Sequence, residues 1–429
     1  MEKIVIVGGG AGGMGAATRL GRKLGKRKRA HVTLIDCAES HVWKPLLHEV
    51  ATGALDVGID AISYRGHAAA NGYHFQQGSL VDIDRTRRQV VLAPIHDGQV
   101  ELLPARRIDF DYLIVAIGSI ANDFGIPGVK RRCLFLDNTA QAMGIRKILL
   151  NRFLRYASHE QLKEKIKVAI VGAGATGTEM AAEMHHAVDQ LRGYGYKIDT
   201  SLLDVTLIEA DKRILPKVGR VEISQSVARE LEKIGVQVLT NTRVVEVTDR
   251  GITFQGGYFV AADIVIWSAG IRGPDFLENI GGLETNHLKQ LVVRPTAQTT
   301  RDDAIFAIGD CCACPQPDGS WVPPRGQAAR QMGHMAADNI MSMMRGLEPE
   351  KHYVYKDLGS LVNLSKFHTV GNLFGFLGGG IMVEGRIARL TYLSLYRRHL
   401  LELYGPVRGM LMVLLKTLNR MIRPHLKLH

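Results

Sequence analysis

Two glycine clusters in the chain share one spacing, and each could cradle a phosphate. Gly8, Gly10 and Gly13 stand in Gly-x-Gly-x-x-Gly register, and Gly172, Gly174 and Gly177 repeat it. In this spacing the first glycine permits a tight turn, the second lets the backbone approach a pyrophosphate, and the third lets the following helix pack closely. The helix N-terminus then offers unpaired N–H groups to the phosphates. Each cluster is followed by an acid able to accept hydrogen bonds from ribose hydroxyls: Asp36 closes Val32-Thr-Leu-Ile-Asp36, and Glu209 closes Val205-Thr-Leu-Ile-Glu209. A carboxylate there repels a 2′-phosphate, so Glu209 favours NADH over NADPH. Lys212 and Arg213, close behind it, pull the other way.

These residues need a scaffold, and the sequence around them repeats in a way that describes one. Lys3-Ile-Val-Ile-Val7 feeds the first cluster and Lys167-Val-Ala-Ile-Val171 the second, each an apolar run before an Ala-rich helical stretch. Asp111-Tyr-Leu-Ile-Val-Ala-Ile-Gly118 is echoed by Asp263-Ile-Val-Ile-Trp-Ser-Ala-Gly270, which makes Gly118 and Gly270 further cofactor-side positions. Three matched landmarks in one order predict an α/β fold with two Rossmann-type dinucleotide-binding domains. The expected division is 1–162 and 289–343 for the first domain and 163–288 for the second. A C-terminal region, 344–429, follows, sheet-like over 351–390 and helical beyond.

With 429 residues, 46% hydrophobic and 22% charged, the chain can bury two cores, and disorder is not the default. Nothing at the start resembles a signal peptide, so the chain is expected to begin in the cytosol. Five cysteines are too few for a disulfide framework, which also suits a reducing compartment. Cys311 and Cys314 have Cys-x-x-Cys spacing, but further ligands at zinc-like spacing are missing and no metal site is assigned. A net charge of +12 raises the question of nucleic acid or an anionic membrane. Its distribution points to membrane rather than nucleic acid: from Arg389 onward eight Lys/Arg face one acid, Glu402. Val407, Met410, Leu411, Leu414, Leu415, Leu418, Met421 and Ile422 fall at helical spacing over 407–423, with Arg408, Lys416, Arg420 and Arg423 largely on the other side. Leu390 to Tyr404 has the same character. Such helices lie on anionic lipid, being too short and charged to span it; ordinary surface helices or a homodimer contact is the plainer alternative. The basic run Lys23 to Arg29 reads as a solvated helix end.

The stretch Thr300 to Asp310, with Phe306 and Gly309-Asp310 in place, resembles the FAD/NAD(P)-linked reductase superfamily, where that aspartate sits on the flavin's ribityl chain. The resemblance implies non-covalent FAD in the first unit and NADH in the second. The Cys-x4-Cys pair of disulfide-reducing relatives is absent from His41 to Val50. Trp43-Lys-Pro-Leu-Leu-His-Glu-Val-Ala-Thr-Gly53, Pro323-Pro-Arg-Gly-Gln-Ala-Ala-Arg-Gln331 and Ile422-Arg-Pro-His-Leu-Lys-Leu-His429 narrow this further. Together they resemble the type II NADH dehydrogenases, single-subunit NADH:quinone oxidoreductases. That resemblance implies hydride transfer from NADH to FAD and two electrons onward to a membrane quinone, without proton pumping. It also implies a peripheral place on the cytoplasmic face of the bacterial inner membrane. Gln327 and Gln331 match the family's Ala-Gln-x3-Gln quinone motif, with Gly326 where alanine is usual, and they fall on one helical face. Glu179 matches a carboxylate near the nicotinamide and quinone pockets, a helix-dipole role being the plainer alternative. Lys366 matches a position that reaches the flavin from the C-terminal region. His41 and His48 bracket the flavin-side segment and are expected to be packing residues.

Overall fold

The computed structural model describes residues 1–158, 164–193, 196, 198, 200–365, 368–373 and 381–422. Its centre is two mainly parallel sheets of similar design, the edge strand Gln298–Thr299 of the first being antiparallel. In the first, strands run in the order Gln298–Thr299, Asp302–Ala307, Tyr112–Val115, Glu2–Val7, Ala30–Asp36, His74–Gln77. In the second the order is Leu134–Phe135, Ile264–Trp267, Ile166–Val171, Leu203–Ile208, Gln237–Leu239. The echoed landmarks occupy equivalent strands: Val5 pairs with Leu113, and Ala169 with Val265. Val/Ile/Leu runs suit these positions because a parallel strand covered on both faces has no solvent side; in the second unit helices pack on one face and the antiparallel sheet on the other. Ile4, Ile6, Leu34 and Ile114 are accordingly fully buried, as are Ile170, Val205 and Ile266. Removing such a side chain to alanine would cost roughly 2–5 kcal/mol. Each unit also carries a three-stranded antiparallel sheet, Leu80–Asp84 with Gln89–Leu92 and Arg106–Asp109, and Val244–Thr248 with Gly251–Phe254 and Phe259–Ala261.

The units exchange chain more than the expected boundaries allow. The edge strand Leu134–Phe135 pairs with Ile266 and Trp267 of the second sheet, so that sheet draws on residues upstream of 163. Ala142, Ile145, Leu149 and Phe153 of helix Thr139–Ser158 share its core. Downstream, Leu277, Ile280 and Leu283 already lie in the first unit's core, ahead of residue 288.

The C-terminal region also departs from expectation. Its sheet comprises Gly359–Leu364, His368–Leu373 and Ile381–Glu384 and ends before residue 390. Helix Gly385–Tyr404 follows, then helix Pro406–Ile422, with the break at Gly405. The first of these is an anchor more than a lipid face: Ala388, Tyr392, His399, Leu400 and Leu403 are buried against the body, although Leu390 is exposed. The second inverts the usual globular arrangement. Gly409 is buried against Leu400 and Leu401, and Lys416 turns inward to Asp60 at 3.3 Å, so Lys416 is not part of a free basic face. Outward, Val407 is 82% and Met410 68% exposed, with Leu411, Leu414, Leu415 and Leu418 beside them. Among the described residues no helix is long and apolar enough to cross a membrane. The side chains of Met421 and Ile422, and residues 423–429, lie outside the described part.

Candidate functional site

The two glycine turns are built alike, and the backbone shows what each glycine is for. Gly8 has φ +103° and Gly172 +97°, a region closed to most side chains. A Cβ on Gly13 would lie 1.8 Å from the Gly8 carbonyl oxygen, and one on Gly177 2.1 Å from that of Gly172. The protein itself therefore requires the first and third glycines. At Gly10 and Gly174, by contrast, a Cβ would meet nothing within 4 Å. That open face is where a pyrophosphate has to approach, and helix Ala11–Lys23 begins there with no side-chain cap on its first N–H groups. Gly118 and Gly270 also hold positive φ, the former beside open space and the latter against the Phe124 ring.

The two acids pin their turns in matching ways. Gly9 N–H donates to Asp36 Oδ2 at 2.6 Å, and Ala173 N–H to Glu209 Oε2 at 2.9 Å. The other carboxylate oxygens accept from Ala38 at 2.8 Å and Asp211 at 3.0 Å. Burial raises Asp36 above the usual carboxylate range, and these N–H groups work against that. The Gly9 carbonyl is held from behind by Tyr64 Oη at 2.8 Å and His41 Nδ1 at 2.9 Å. A carbonyl only accepts, so His41 carries its proton on Nδ1 and its bare Nε2 accepts from His399 Nε2 at 3.1 Å. Helix Gly385–Tyr404 is thereby tied to the first turn, and Glu402 adds an ion pair with Arg330 at 2.5 Å and a hydrogen bond from His334 at 2.7 Å.

Asp310 follows strand Asp302–Ala307, and its Oδ2 accepts from Ser119 Oγ at 3.2 Å. Lys44 Nζ donates to the Ser119 carbonyl at 2.9 Å. Burial raises the Asp310 carboxyl, with Lys44 acting first against it. A partly buried carboxylate beside Lys44 and the Gly118–Ser119 turn suits a hydroxyl-rich ligand.

Gln327 and Gln331 lie on helix Gly326–Met343, which rests directly on the first turn's helix. Both contact glycines are needed for this, since a Cβ on Gly333 would be 2.4 Å from the Gly12 carbonyl and one on Gly12 2.7 Å from that of Ala329. The two amides grip one strap of chain. Gln327 Nε2 donates to Tyr355 Oη at 2.8 Å and to the Gly359 carbonyl at 3.2 Å, while Oε1 accepts from Leu358 N–H at 3.1 Å. Gln331 Nε2 donates to the Lys356 carbonyl at 3.1 Å, and Tyr353 Oη donates to its Oε1 at 3.1 Å.

Strand Gly359–Leu364 carries this connection to Glu179, whose Oε1 accepts the Asn363 N–H at 3.0 Å. Glu179 is the fifth residue of helix Ala175–Gly193 and reaches across to another element, which displaces the helix-dipole reading. Burial, reinforced by Glu49 and Glu183, pushes its carboxyl up to about 8 against the Asn363 bond. The structure thus brings Gln327, Gln331 and Glu179 to one strap and strand, and Asp36 and Asp310 to the first unit. Lys366 lies outside the described residues.

Lys44, Ser119, Tyr355 and His399 were not singled out in the sequence. Lys44 stood within a family-matching stretch, whereas 353–359 has no periodicity to mark it. The Cys-x-x-Cys pair fares poorly. Cys311 and Cys314 are buried, their thiols pushed up to about 11 and 12 by that burial, and they donate to separate backbone carbonyls. Reactive thiols need the opposite environment. Among the described residues no group of three or more His, Cys, Asp and Glu could hold a metal.

Two dinucleotide turns on paired parallel sheets define a pyridine-nucleotide-linked oxidoreductase scaffold. The pattern of the family described as pyridine nucleotide-disulphide oxidoreductase matches residues 2–333. A type II NADH:quinone oxidoreductase of Haemophilus influenzae is 44% identical, with 100% of both chains covered. One from Staphylococcus aureus is 27% identical over 87% of this chain and 90% of its own. NDH2 from Plasmodium falciparum, solved in complex with NADH, superposes with TM-score 0.82 at 19% identity over 99% and 100% of the two chains. The sulfide:quinone oxidoreductase of Aquifex aeolicus reaches 0.74 at 17% identity over 94% and 92%. The chain belongs to the type II NADH:quinone oxidoreductases.

Proposed function

We propose that this chain oxidises NADH and reduces a membrane quinone with the help of non-covalently held FAD. In this reading it is a peripheral respiratory-chain enzyme on the cytoplasmic face of a bacterial inner membrane and moves no protons across it. The observation that carries the reading is the duplicated turn with an open second glycine and a pinned acid. Gly8, Gly10, Gly13, Asp36, Gly118 and Asp310 would hold FAD. Gly172, Gly174, Gly177, Glu209 and Gly270 would hold NADH. When bound, FAD supplies a two-electron carrier between nicotinamide and quinone.

The protein's own work is positioning and proton supply. Glu209 orients NADH through its ribose and disfavours a 2′-phosphate. Gln327 and Gln331 hold the strap beside which the quinone docks. Reducing a quinone to a quinol takes two electrons and two protons, of which the NADH hydride brings two electrons and one proton. Glu179 supplies the other, because a buried carboxyl titrating near 8 keeps its proton at neutral pH. The exposed apolar stripe of helix Pro406–Ile422 lies on lipid and delivers the site to the quinone pool. The test is steady-state turnover with NADH or NADPH and ubiquinone or menaquinone analogues. Rapid turnover with NADH is expected, and NADH consumption indifferent to added quinone would refute the proposal.

A second reading, a homodimer joined through the helix Pro406–Ile422 stripe, is favoured by the same exposure. Sedimentation with and without vesicles separates the two.

A further inference from the structure

His48 stands next to the carboxyl just assigned the proton. Helix Leu47–Thr52 packs against helix Ala175–Gly193 and sets His48 Nδ1 3.6 Å from Glu179 Oε2. Both side chains are buried, at 1% and 6% exposure. The opposite ring nitrogen, Nε2, is buried with no hydrogen-bond partner among the described residues. The ring bonds the Pro45 carbonyl, which can only accept, and with Nε2 unpartnered that bond falls to Nδ1, so Nδ1 carries the ring's proton and Nε2 is bare. Burial pulls the ring down to about 4, so it is neutral at physiological pH. The charged groups that bias Glu179 are Glu49, on the His48 helix, and Glu183, one turn along its own, and both are acids. Strand Gly359–Leu364 contributes a backbone N–H, from Asn363.

We infer that His48 is the positioning residue that makes Glu179 a reusable proton donor, its Nδ1–H moving from the Pro45 carbonyl onto Glu179 Oε2 when that carboxyl ionises. The inference rests on the reading of Glu179 as the quinone's proton source. In the step concerned, the Glu179 O–H bond breaks and a quinone O–H bond forms. A buried carboxylate between Glu49 and Glu183 is left behind, and a proton from solvent water later restores it. A carboxylate in that position is costly unless a donor turns to it, and a hydrogen bond to an ionised group is stronger than one to a neutral group. His48 Nδ1–H is a side-chain donor that the structure places 3.6 Å away.

The two amide substitutions separate the ring nitrogens. His48→Asn keeps a donor where Nδ1 lies, whereas His48→Gln moves its donor out toward the Nε2 position. The readout is the infrared carbonyl band of protonated Glu179, titrated with pH in the purified holoprotein and assigned by its loss in Glu179→Gln. His48→Gln should raise the titration midpoint by about one pH unit or more, and His48→Asn should leave it within a few tenths. Turnover with quinone at pH 7 should fall roughly tenfold in His48→Gln with KM for NADH unchanged, and recover in His48→Asn. Equal midpoints in wild type and His48→Gln, or equal shifts in both variants, would overturn the role of His48. Full quinone turnover in Glu179→Gln would instead overturn the reading of Glu179, whatever the His48 variants do.

Discussion

Glu179→Gln removes a buried group whose ionisation the fold opposes, and the consequence for stability can be worked out with its sign. In the unfolded chain the carboxyl titrates near 4.5, and in the fold burial pushes it up to about 8. Below pH 4.5 both states hold the proton and the group has no effect. Between 4.5 and 8 the unfolded chain releases the proton while the fold retains it, so wild-type stability falls as pH rises; above 8 the loss levels off. The full span is on the order of 5 kcal/mol, at a little over 1 kcal/mol per pKa unit. Glutamine does not titrate, keeps an oxygen for the Asn363 N–H, and adds amide hydrogens whose cost is independent of pH. The stability of the variant minus that of wild type should therefore grow by about 2 to 3 kcal/mol between pH 5.5 and 7.5. Denaturant titration of both proteins at the two pH values measures this, since contributions from all other groups cancel in the difference. A difference that stays constant, or shrinks as pH rises, would mean that Glu179 is ionised in the fold at neutral pH. It could not then be the proton carrier.

Five further outcomes follow from the same geometry. Gly10→Val should fold with a near wild-type melting profile yet purify without yellow colour, because its side chain enters open space. Gly13→Ala should instead lose stability outright through collision with the Gly8 carbonyl, and thermal melts together with flavin absorbance check both. Glu209→Gln should raise the NADPH-to-NADH ratio of kcat/KM by roughly tenfold or more, by removing a charge that repels a 2′-phosphate; an unchanged ratio would place the discrimination elsewhere. Cys311→Ser with Cys314→Ser should retain quinone reductase turnover, and its loss would assign the pair a redox role. Leu411→Glu with Leu415→Glu, both on the exposed stripe, should abolish co-sedimentation with anionic vesicles while preserving turnover with a water-soluble quinone.

Where sequence signals are local, they carried through. The glycine spacings and the acids Asp36 and Glu209 each report a constraint confined to a strand, a turn and the next strand, and in both sheets those two strands pair in parallel. The chain exchange between units was not legible, because Leu134–Phe135 is too short to signal its partner and the pairing with Ile266–Trp267 spans over a hundred residues. Helical spacing in 390–404 gave periodicity but not direction. Only packing shows that His399 and Glu402 turn inward to His41, Arg330 and His334, whereas the 407–418 stripe turns outward. His48 was expected to be a packing residue, and buried it is. Its neighbour Glu179 lies more than a hundred residues away in sequence, and no spacing rule connects them.

The most direct test of the account is an anaerobic titration of the purified protein, followed by its visible absorbance. One equivalent of NADH should bleach a bound yellow chromophore completely, and a quinone added afterwards should restore the colour in a single turnover. Protein that purifies colourless, or whose colour persists while NADH is oxidised, would contradict the claim that the paired nucleotide turns bring two redox partners together in one chain.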